Sequence, residues 1–152
     1  MIEFIVNRLN SQYKSIEFLI SGLEEENLKR RLQTDKWSIH ENIAHLGRYQ
    51  EVFYERVQRI LNEDNPYFER YKAEDDPLTD KWFEKSTNNT IEDLQVFRKY
   101  LNTFLISLEN HEIQKTGIHP KLGKMNIEQW TEFFLLHEAH HLYTILWLST
   151  NV

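Results

Sequence analysis

The stretch "NIEQWTEFFLLHEAHHLYTILWLS", residues 126–149, decides the fold. Asn126 followed three places later by Gln129 resembles a capping box, in which each side chain bonds the other's backbone N–H at a helix start. Beyond it, Ile127, Trp130, Phe134, His137, His141, Ile145 and Leu148 recur at steps of three and four, the period of one helix face. That face is apolar except at its two histidines. Each imidazole brings two nitrogens that want partners, and one left buried and unpaired costs on the order of 1–3 kcal/mol. Side chains four apart on a helix have β-carbons about 5–6 Å apart, which lets two imidazoles share one divalent ion at about 2.0–2.1 Å. A pair of core histidines bonded to backbone, water or carboxylates gives the same spacing, so the pair alone does not establish a metal.

Three further segments share the helical period. The first spans about 2–24, through Ile5, Leu9, Tyr13 and Ile16. The second begins at Ser38, where "SIHE" is a capping box, and carries Ile39, Ile43, Leu46, Phe53, Val57 and Ile60. The third runs from about Thr90 to Asn110. Between the second and third lies an acidic connection, 62–89, far longer than the usual few residues. It holds Pro66, Pro77 and the aromatics Tyr67, Phe68, Tyr71, Trp82 and Phe83, and reads as a crossover pinned to the bundle or as a lid over a pocket. Four amphipathic helices with one long crossover predict an all-α four-helix bundle, one domain over 1–152. No convincing strand is expected.

Bulk composition narrows the functions. The chain has 152 residues, 4 Gly, 3 Pro and no Cys, so disulfides, thiolate metal ligands and a protein thiol nucleophile are excluded. A formal charge of -6, without a basic cluster longer than "LKRRL" (28–32), disfavours nucleic acid. No apolar run approaches the ~20 residues that span a bilayer. The start "MIEFIVNRLNSQYK" lacks the pattern of a signal peptide, so a cytoplasmic protein is expected.

A third ligand would close the argument for metal. His45 lies beside Leu46, on a shoulder with Asn42, Tyr49 and Val52, from which it can reach a neighbouring helix. His40 shares a face with Ala44, Gly47 and Glu51, which suggests solvent or close helix contact. His140 flanks the seam, His111 falls near a helix C-terminus, and His119 precedes Pro120 in a loop that can line a pocket mouth. "HEAHH" also fits the H-E-x-x-H of zinc proteases, with Glu138 as general base. That reading suffers from the missing strand. Glu138 is otherwise a group that supports a ligand or a surface carboxylate.

At these residues the sequence resembles a known family. "DKWSIHENIAHL" (35–46) is similar to the W-S-x-x-E-x-x-x-H-L signature of the DinB-like (YfiT-like) superfamily. "HPKLGKMNIEQWTEFFLLHEAHHLYTI" (119–145) resembles its C-terminal signature: a Pro-x-x-Gly loop, a capped helix, a tryptophan and H-x-x-x-H. The resemblance implies a four-helix bundle with a long crossover and one divalent ion, often zinc or nickel, held by His45, His137 and His141. Trp37 and Trp130 fall on packing positions. Characterised relatives include transferases using a low-molecular-weight thiol and a maleylpyruvate isomerase. The implied function is activation of a thiol or water toward a small substrate. The rival reading is a helical ligand-binding or interaction protein without catalysis, its metal structural or absent. "HHLYTILWL" (140–148) is apolar on more than one face, which predicts a homodimer contact near Tyr143, Leu146 and Trp147 unless the crossover covers them.

Overall fold

The computed structural model describes all 152 residues. In chain order its elements are α1 (Glu3–Ser11), α2 (Ser15–Leu19), α3 (Glu25–Lys29), α4 (Ile39–Asn62), α5 (Thr79–Phe83), α6 (Thr87–Ser107), α7 (Asn110–Ile113), β1 (Thr116–His119), β2 (Gly123–Asn126) and α8 (Ile127–Ser149). α4 packs on α6 and α8, while α1 and α2 close the ring against those two helices. The architecture is a four-helix bundle with a long crossover from α4 to α6.

Caps start the helices where expected. Ser38 Oγ accepts from the Glu41 N–H, and Glu41 accepts from the Ser38 N–H. Asn126 and Gln129 exchange the same two bonds ahead of α8. α6 starts earlier than expected, because Ser86 caps it by accepting from the Asn89 N–H. It also ends earlier: Leu108 is extended, and Glu109 and Glu112 form a new capping box for the single turn of α7. The expected first helix is broken, with a 3₁₀ turn at Gln12–Lys14 between α1 and α2.

The expectation of no convincing strand needs one correction. β1 and β2 form an antiparallel hairpin, Thr116 pairing with Asn126 and His119 with Gly123, and the crossover adds a bridge from Tyr67 to Ile118. "TGIH" and "GKMN" show neither alternation nor a β-branched run, so periodicity does not reveal them. Trp130 and Phe68 hold the hairpin from below, the two rings meeting edge-on at 5.2 Å. A Cβ on Gly117 would lie 2.7 Å from the Phe68 ring, so only glycine lets the strand approach.

The core is two apolar clusters with a polar layer between them. One cluster holds Leu9, Phe53, Val57, Leu101, Trp130 and Phe134. The other holds Ile16, Ile39, Ile43, Leu94, Ile145 and Leu148. At the boundary each side of the bundle gives one polar residue: Gln12, Gln50, Arg98 and Glu138. Arg98 and Glu138, both fully buried, form an ion pair. Arg98 Nε donates to Gln50 Oε1 at 2.9 Å, and Gln12 Nε2 donates to Glu138 Oε1 at 3.0 Å.

The crossover is pinned and also roofs a cavity. Phe68 and Trp82 are buried. A side chain at Gly47 would overlap the Trp82 ring, so α4 carries glycine where the crossover presses against it. Arg48 Nε donates to Asp76 Oδ2 at 2.8 Å, and the Tyr71 hydroxyl donates to the same oxygen at 3.0 Å. That fixes Tyr71 over α4.

Candidate metal centre

α4 carries His45 across the bundle from α8, which carries His137 and His141 one turn apart. The three rings converge. Their centroids are 5.1 Å apart for His45 and His137, 4.6 Å for His45 and His141, and 4.7 Å for His137 and His141. One ring nitrogen from each lies within 4.8 Å of the other two.

Local hydrogen bonds set the chemistry of these nitrogens. Asn42 Nδ2 donates to the Ser38 carbonyl at 2.8 Å, which leaves its Oδ1 facing His141 Nδ1, also at 2.8 Å. His141 therefore donates from Nδ1, and its Nε2 holds a lone pair. His45 and His137 point Nε2 at Nε2 across 3.2 Å, while their buried Nδ1 atoms have no protein partner. Two lone pairs at that distance repel. Moving one proton to Nε2 makes an N–H···N bond but leaves a bare Nδ1 buried. Either arrangement leaves a polar atom unsatisfied. A cation between the rings resolves the conflict, since two ligands at about 2.0–2.1 Å in tetrahedral geometry stand about 3.3 Å apart. The residues present fit a metal ion.

Burial keeps all three rings neutral. It pushes His45 down to about 4. Burial with the neighbouring imidazoles pushes His141 to about 3 and His137 to about 2. Neutral imidazole is the form that binds metal.

The cluster faces a cavity of about 510 Å³, lined by all three histidines and by Trp37, Tyr49 and Tyr71. His119 lines it too, as the loop position suggested. Trp130 is wholly buried packing, but Trp37 does more than pack: its ring lies 4.9 Å from His45 and 6.2 Å from His141, at the cavity wall. Glu138 is not part of that wall. Its carboxylate is wholly buried on Arg98 and Gln12, so neither the general-base nor the surface reading fits its placement. His40 is buried rather than solvated, its ring nitrogens 3.0 Å from the Thr87 hydroxyl and the Phe83 carbonyl. His140 and His111 are exposed. Sequence reasoning missed Asn42 and Tyr71 as parts of the site. Asn42 had a signal, one turn after the Ser38 cap; Tyr71 had none, because the crossover's path sets it.

The fold and site together define a class: a four-helix bundle that presents three imidazoles to one cavity. The family model described as the DinB superfamily matches residues 8–145. The chain belongs to the DinB superfamily. YfiT from Bacillus subtilis, described as "a probable metal-dependent hydrolase with an unusual four-helix bundle topology", superposes with a TM-score of 0.78 at 17% identity, over 98% of this chain and 86% of that one. A Bacillus cereus (strain 03BB102) protein named "Putative metal-dependent hydrolase" is 23% identical over 146 residues, 93% of this chain and 81% of its own. The "Uncharacterized protein YuaE" of Bacillus subtilis (strain 168) is 24% identical over 140 residues, 81% of this chain and 83% of that protein.

Proposed function

We propose that His45, His137 and His141 bind one divalent ion, zinc or nickel, and that the protein is a metal-dependent enzyme acting on a small substrate by hydrolysis or thiol transfer. One observation carries this reading: three neutral imidazoles from two helices meet at the wall of one open cavity. Its volume suits a small molecule. The names of YfiT and the Bacillus cereus relative point the same way. Three protein ligands leave a coordination position free for chemistry. When bound, the ion supplies Lewis-acid activation of a water or of a low-molecular-weight thiol. Any such thiol comes from outside, because the chain has no cysteine.

The protein's own residues do the positioning. Asn42 holds the His141 proton on Nδ1 and so aims Nε2 at the cluster. Trp37, Tyr49 and Tyr71 wall the imidazoles and limit water around them. Glu138 takes no part in proton transfer in this reading.

The setting proposed is cytoplasmic, without nucleic acid or membrane as partner; no helix is long and apolar enough to cross a membrane. A second copy of the chain is proposed to cover α8. Tyr143, Leu146 and Trp147 stay exposed, and the crossover, the other candidate cover, packs elsewhere on α4.

Metal content of untagged protein, wild type beside His137→Ala, tests the site. Near one equivalent in wild type, largely lost in the variant, is expected; equal content would remove His137 from the ligand set. Model esters and alkylating electrophiles, each with and without a small thiol, then test the chemistry. Turnover that depends on metal is expected, and none with any substrate class would favour the non-catalytic rival.

A further inference from the structure

Arg56 is a half-buried arginine without a carboxylate partner. Arg8, Arg31, Arg48, Arg59 and Arg98 each hold a carboxylate. Arg30, Arg56 and Arg70 hold none, although acidic residues outnumber basic ones by 24 to 18, and of these three only Arg56 is half-buried rather than exposed. Its two hydrogen bonds go to the Tyr49 hydroxyl at 3.4 Å and the Glu69 main-chain carbonyl at 3.1 Å. The guanidinium is half-buried among aromatic faces, 5.6 Å from the centres of both Phe68 and Trp130. This packing fixes the side chain while most of its N–H donors remain unused.

Those donors belong to the wall of the imidazole cavity. The guanidinium carbon lies 6.0 Å from the Tyr49 ring centre, and the His137 ring lies 4.0 Å from that same centre. The sum of the two, about 10 Å, bounds their separation. Beside Arg56 is His119, whose Nδ1 accepts from the Lys121 and Leu122 N–H groups at 3.2 and 3.0 Å. The neutral ring therefore carries its proton on Nε2, where no protein group accepts it. Arg70, Lys72 and Lys121 also line the cavity, against two carboxylates, Glu69 and Glu74. A surplus of positive charge at this cavity, in a chain of net charge -6, attracts anions.

We propose that Arg56 is the anion-recognition residue of this cavity. It holds a carboxylate or phosphate group of a small substrate through paired N–H···O bonds, with His119 Nε2–H as a second donor. The fork geometry of guanidinium matches such groups, which ammonium does not. The substrate class is a small anionic molecule whose reacting group sits a few bonds from that charge. Which end reacts rests on the metal reading above; the anion site does not.

The test uses metal-free protein and two probes, inorganic phosphate and succinate. Backbone and side-chain ¹⁵N NMR follows the Arg56 Nε–H and the Trp37 and Trp130 indole N–H signals. Saturable shifts of the Arg56 signal are expected in wild type. Affinity should fall at least about tenfold in Arg56→Met, whose apolar stem keeps the ring packing, and persist in His137→Ala. Phosphate that leaves the Arg56 signal unmoved, or binds folded Arg56→Met as tightly as wild type, overturns the proposal. The wild-type signal decides the matter if the variant does not fold. Unchanged metal content in His137→Ala would sink the metal reading while leaving the anion site standing; the reverse pattern separates them equally well.

Discussion

Asn42 shows how one amide sets the protonation of the cluster. The helix cap at Ser38 offers its carbonyl, Asn42 uses its N–H₂ there, and the remaining oxygen dictates the His141 tautomer. Replacing Asn42 with Leu keeps the volume and removes the acceptor. Metal affinity should drop about 10–100-fold, read by competition with a chromogenic chelator, with helix content unchanged. The imidazoles also make a pH prediction. Burial lowers the folded pKa values of His45, His137 and His141 below the unfolded value of about 6.5. Below 6.5 the unfolded chain then binds more protons than the folded one, so stability falls with pH toward about 4. His40, also lowered by burial, adds in the same direction. Urea denaturation of metal-free protein should give a clearly lower midpoint at pH 5 than at pH 7, a window above most carboxylate titration. An unchanged midpoint would mean that the rings are solvated.

At the scale of elements, the four polar residues at the centre of the bundle tie its helices in register. Arg98 and Glu138 are the pair that matters. A buried ion pair adds little net stability against an apolar replacement, yet deleting one partner strands the other charge. Glu138→Ala should cost about 3–5 kcal/mol in denaturant unfolding and leave the metal content of the folded fraction intact. A general base would behave differently, with stability kept and turnover lost. The capped starts of α4 and α8 were legible because caps are local chemistry, written within four residues. The break after α1 was not, because Ile16 and Ile20 keep the helical period straight through the 3₁₀ turn. The hairpin was invisible for a related reason. Its strands are held by Phe68 and Trp130, residues distant in sequence, rather than by their own alternation.

For the whole molecule, the candidate site was legible in its three histidines and illegible in its walls. His137 and His141 announce themselves by lying on a stripe that is otherwise apolar, and His45 by its shoulder position and by the family resemblance. Tyr71 and Arg56 reach the cavity only through the path of the crossover and the stacking of distant rings, which no local pattern encodes. The exposed face of α8 makes a prediction at this scale. Sedimentation at micromolar concentration should give the mass of two chains, and Trp147→Lys should give one; a concentration-independent monomer would reject the pairing.

Anomalous diffraction from a zinc-soaked crystal measures directly the cation proposed between α4 and α8. One peak is predicted about 2.0–2.1 Å from a ring nitrogen of each of His45, His137 and His141, with a further position open to the cavity. Zinc absent from that point, or bound by other residues while the three rings stay unligated, would contradict it.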